Sequence, residues 1–108
     1  MNDEVLEGVV IENEYVLNFK TPYEFEGETF KNIDLSDLEN LSAEDLIKAQ
    51  KIMEKQGSVS FMPEMTLEYA CIVASIATKK PIEFFKLLPA KEAIKLKNKV
   101  MVFLNAEE

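Results

Sequence analysis

The sequence predicts an α+β fold, an N-terminal β-hairpin packed on a small bundle of about four helices. Three observations carry that prediction. Tyr15, Leu17 and Phe19 alternate with Val16 and Asn18, and Thr29-Phe30 resumes the signal beyond Glu26-Gly27; a period of two is that of a strand. From Asp34 onward the apolar period lengthens to that of a helix. The stretch LEYACIVASIAT, residues 67–78, is apolar nearly all round, which suits the centre of a bundle better than its surface.

Taken in order, residues 1–13 read as a frayed start or a docking arm, with a short β-branched run at Val9-Val10-Ile11. Strands are expected near 14–20 and 29–34, with 22–25 extending or bending the first after Thr21-Pro22. Gly27 can take the positive φ that a tight hairpin needs. Residues 14–35 thus form the hairpin, and helices must cover one of its faces, because an isolated hairpin is marginal. Ser36-Asp37-Leu38-Glu39 reads as a single helical turn. Ser42 caps the next helix, with Asp45 where a capping box usually has Glu or Gln, so that box reads as imperfect. Leu46, Ala49, Ile52 and Met53 share a face, Lys48, Lys51 and Lys55 lie outside, and Gly57 stops the helix.

Residues 58–63 read as a packed connector carrying Val59, Phe61 and Met62. Thr66 caps the apolar helix 67–78. Pro81 suits the first position of a short helix, 82–88, and Pro89 that of the last, 90–104. In the last helix Ala93, Leu96, Val100, Phe103 and Leu104 make an inward stripe, while Lys91, Lys95 and Lys99 recur at i, i+4, i+8 on an outer face. The helical part spans 36–104, and no linker splits the 108 residues, so 1–108 reads as one domain.

Composition excludes much chemistry. The chain has no His, Trp or Arg, and one Cys. Catalytic systems that need His, His-containing zinc sites, thiolate zinc sites and internal disulfides are therefore beyond it. Cys71 sits in an apolar stretch and reads as a small core residue. The acids around Asp34, Asp37, Glu39, Glu44 and Asp45 lack the spacing and the glycine of a calcium loop. Gly8, Gly27 and Gly57 are too scattered for a phosphate loop. The expectation is a non-enzyme with no metal and no cofactor.

The net charge is −8 and unevenly placed: 13 acids and 2 lysines in residues 1–47, 7 acids and 10 lysines in 48–108. Nucleic acid is not an expected partner, because phosphate neutralisation needs clustered positive charge. Nor is a membrane, since no apolar run approaches ~20 residues. Met1-Asn2-Asp3-Glu4 is acidic where a signal peptide is basic, which points to the cytoplasm.

A pattern of short blocks goes further. Lys20-Thr21-Pro22 leads into the hairpin, followed by Ile33-Asp34-Leu35-Ser36 and by Leu38-Glu39-Asn40-Leu41-Ser42-Ala43-Glu44-Asp45-Leu46. Then come Glu68-Tyr69-Ala70, the turn Pro81-Ile82-Glu83-Phe84-Phe85, the block Phe84-Phe85-Lys86-Leu87-Leu88-Pro89 and the closing residues 100–104. From about 15 to 104 the chain resembles the phage tail assembly chaperones, small proteins of tailed phages and prophages. The resemblance implies a binding role in the host cytoplasm: coating the tape measure protein and keeping it soluble until tail tube subunits polymerise around it. It implies the tape measure protein as partner, with the tail tube protein, a frameshifted longer form of the chain and a homo-oligomer as further possibilities. Alternatives are a structural tail-completion component of the virion and a small non-enzymatic adaptor. The family carries no catalytic residues over, so candidate partner contacts come from surface logic. Val59, Phe61 and Met62 are core residues or an apolar contact patch. Lys91, Lys95 and Lys99 are a solvent face, or a dock for an acidic segment of a partner or of the chain's own N-terminal part.

Overall fold

The computed structural model describes residues 14–57 and 66–105. The architecture is α+β. Strands β1 (Val16–Phe25) and β2 (Glu28–Asp34) form an antiparallel hairpin, followed by a 3-10 turn (Ser36–Asn40) and helices α1 (Ala43–Lys55), α2 (Leu67–Thr78), α3 (Ile82–Lys86) and α4 (Ala90–Asn105). Among the described residues the sheet has these two strands, and no helix is long and apolar enough to cross a membrane. The readings for residues 1–13 and for the connector with Val59, Phe61 and Met62 lie outside the described residues.

The hairpin turns on Glu26 and Gly27, both at positive φ (52° and 84°). That pairing is the primed turn whose twist matches its strands, so Glu26 shares the left-handed conformation expected of Gly27 alone. β1 is one continuous strand, with residues 22–25 extending it, one of the two readings the sequence offered. Asn18 pairs with Asn32 and Tyr23 with Phe30, which leaves Phe19, Lys20, Thr21 and Pro22 standing against Lys31. This wide bulge holds Pro22, which has no N–H for a ladder. It also turns both Ile33 and Phe30, three residues apart on β2, toward the helices.

Ser42 and Asp45 complete a full capping box, correcting the imperfect one expected. The Asp45 N–H donates to Ser42 Oγ at 3.3 Å, and the Ser42 N–H donates to Asp45 Oδ2 at 2.9 Å. An aspartate reaches as well as a glutamate here. Thr66 accepts from the Tyr69 N–H at 3.1 Å and starts α2 as expected. Pro81 is the cap of α3 rather than its first residue, because its extended ψ of 147° keeps it outside the helix. That helix ends at Lys86, two residues short of the expected 88.

α2 is the centre. Tyr69, Ala70, Cys71, Ile72, Val73, Ala74 and Ala77 are all buried, and α1, α3, α4 and the 3-10 turn all pack on it. The hairpin joins this core through Phe84. Its ring meets those of Tyr23, Phe25, Phe30 and Phe85 edge-on at 4.9–5.3 Å, and its carbonyl accepts the Tyr23 hydroxyl at 2.9 Å.

Phe84→Ala should therefore cost about 3–5 kcal/mol in urea unfolding, with the hairpin loosened along with the core. The hydrogen bond from the Ser42 N–H holds the Asp45 carboxyl below its ordinary pKa. Its stabilising contribution is then complete at neutral pH and is lost as pH falls through the folded pKa. Thermal melts of Asp45→Ala should show lower stability than wild type at pH 7, with the gap closing in acid.

Candidate functional site

Adjacent residues of a strand turn their N–H and C=O groups to opposite edges. Tyr15 C=O accepts the Leu35 N–H at 2.7 Å on the β2 side, so residues 14, 18 and 20 present theirs to the other edge. Side chains of α4 meet them there. Lys99 Nζ donates to Glu14 C=O at 3.0 Å and Lys95 Nζ to Asn18 C=O at 2.7 Å. Lys20 N–H, turned to the same outer edge, donates to Glu92 Oε2 at 2.7 Å. Glu92 is only 6% exposed. Its Oε1 faces Lys95 Nζ at 2.9 Å, an ion pair rather than an aligned hydrogen bond.

Two of the three lysines singled out in the sequence thus hold the chain's own first strand by its backbone. Lys91 is exposed. Glu92 went unnoticed in the sequence because its partner is a backbone group 72 residues away.

Beside this seam lies an open cleft of about 750 Å³ between the 3-10 turn and the C-terminal half of α4. Leu38, Glu39 and Asn40 form one wall, Asn98, Lys99, Val102, Phe103 and Leu104 the other, and Glu14 and Tyr15 the floor. Tyr15 ties the walls together: its hydroxyl donates to Glu39 Oε2 at 2.6 Å and its ring lies 5.1 Å from that of Phe103. Phe103 and Leu104, expected to point inward, are half-buried on the core's edge. Val102 is 70% exposed. One sequence signal could have found this place. Met101-Val102-Phe103-Leu104 is four apolar residues running, and four in a row on a helix cannot all face one core.

The site offers apolar contact with a polar rim. Cys71 is no nucleophile here, since burial pushes its thiol up to about 11. No group of three or more potential metal ligands occurs among the described residues. No family model, curated protein or solved structure matches the chain. The likeness to tail assembly chaperones accordingly stands on the sequence pattern alone.

Glu92→Ala should cost about 1–3 kcal/mol, because it strands the Lys20 N–H. Lys95→Ala should also cost about 1–3 kcal/mol, because it leaves the buried Glu92 Oε1 without its cation. Glu92→Gln, which keeps an acceptor for the Lys20 N–H and removes the buried charge, should cost less than either in denaturant titrations.

Proposed function

We propose that the chain is a phage tail assembly chaperone, which holds apolar faces of the helical tape measure protein and keeps it soluble during tail assembly in the host cytoplasm. One observation carries the reading to a place on the surface. Two of the blocks behind the family resemblance, the Ile33 to Leu46 stretch and residues 100–104, supply opposite walls of the cleft beside α4. Val102 crowns one wall, exposed and apolar. Open apolar grooves of this kind accept amphipathic helices through anchors spaced three or four residues apart. A polar rim of Glu39, Asn40, Asn98 and Lys99 favours a contact that forms and releases over a permanent one.

The test is co-expression with the tape measure protein of the same phage or prophage. The partner should stay soluble and co-purify with this chain. Val102→Asp should weaken retention by about tenfold or more, as expected for an anchor residue. Ile47→Asp, an exposed position on α1, should leave it unchanged. A tape measure protein that precipitates regardless contradicts the chaperone reading. Recovery of the chain in finished particles favours a tail-completion component instead.

A further inference from the structure

A second groove lies where the hairpin tip meets α3, and it shares no lining residue with the cleft beside α4. It holds about 480 Å³ and is lined by Tyr23, Glu24, Phe25, Glu26, Glu83 and Leu87. Tyr23 and Phe25 are two residues apart on β1 and so face the same side; their rings stack at 6.3 Å. α3 supplies the facing wall. The Leu87 N–H donates to the Glu83 carbonyl at 3.0 Å, which sets these two side chains one turn apart on one helix face. Leu87 is 66% exposed and Phe25 is half-buried, so the groove presents open apolar surface. Three of its six lining residues are glutamates and none is a lysine; Lys86, next to Leu87 in the chain, stays outside. Among the described residues none of these three carboxylates has a hydrogen bond or an ion pair. The cleft beside α4 differs, since its lining sets Lys99 against Glu14 and Glu39.

The fold does not use these carboxylates, and gathering like charges at one groove works against it. A cation brought there turns repulsion into attraction, and covering the apolar surface excludes water and strengthens that attraction. We propose that this groove is a second docking surface, which takes a basic amphipathic segment of a partner protein. One large apolar side chain seats on Leu87 and Phe25, and lysines or arginines on either side of it pair with Glu24, Glu26 and Glu83. The anchor supplies most of the affinity, while the rim charges supply on-rate and the choice of partner. The proposal does not rest on the chaperone reading.

The test uses the full chain and a fluorescently labelled, amphipathic helical peptide of leucine and lysine, with binding read by anisotropy at physiological salt. Leu87→Asp should weaken binding by about tenfold or more, the loss expected of an anchor contact. That variant adds a negative charge, so attraction by net charge alone would tighten binding instead. Ile47→Asp adds the same charge on the outer face of α1 and should not weaken it. Glu26→Gln with Glu83→Gln should weaken binding several-fold, whereas Glu44→Gln with Glu54→Gln, an equal loss of charge on α1, should leave it unchanged. Every one of these positions is exposed, so the substitutions spare the core. A peptide of the same charge with serine in place of leucine should bind at least about tenfold more weakly. A leucine–lysine peptide that does not bind, undiminished binding to Leu87→Asp, or equal weakening by the two glutamate pairs would each overturn the proposal. So would loss of binding in Val102→Asp with Leu87→Asp unaffected, which places the peptide in the cleft beside α4. No tape measure protein takes part, so a failed co-purification with it would leave these results standing, and the reverse also holds.

Discussion

Seven of the twelve residues of α2 are buried, and they point in every direction around its axis. A helix with no polar side must be enclosed, and the order of the remaining elements follows from that. α1 covers one side, the 3-10 turn and α4 others, and α3 closes the end where Lys79 breaks the helix in a left-handed conformation (φ 65°). The hairpin is too small to hold itself together, so it depends on the same enclosure. Its rings gather around Phe84, and its outer edge is satisfied by Glu92, Lys95 and Lys99 of α4.

Local rules made most of this legible in advance. Ser42 and Thr66 begin helices because their hydroxyls accept an N–H that the first turn leaves unpaired. The alternation around Leu17 and the density of apolar residues after Thr66 select strand and core helix for equally local reasons. What escaped were features set by distant partners. Lys20-Thr21-Pro22 is visible as punctuation, yet only pairing with β2 makes it a bulge inside one strand. Glu92 looks like a solvent acid on α4 until the Lys20 N–H on the outer edge of β1 needs an acceptor. The lysine spacing at 95 and 99 predicts a shared outer face, but not that the face meets a strand edge.

The candidate site divides along the same line. Lys95 and Lys99 work inside the molecule, which makes them poor choices for a free docking stripe. The exposed apolar surface of α4 lies instead at its C-terminal end, where Val102 is exposed and Phe103 and Leu104 are half-buried. The 3-10 turn forms the opposite wall, and Glu14, held at the seam by Lys99, forms the floor with Tyr15. Fold and site are therefore coupled: loosening the seam should open the cleft.

The most direct measurement is amide hydrogen exchange on the chain alone and in complex with the tape measure protein. The account predicts slowed exchange concentrated in residues 36–40 and 98–105, with the outer face of α1 unchanged. Protection on α1 or at the hairpin tip, with the end of α4 exchanging as before, would contradict it.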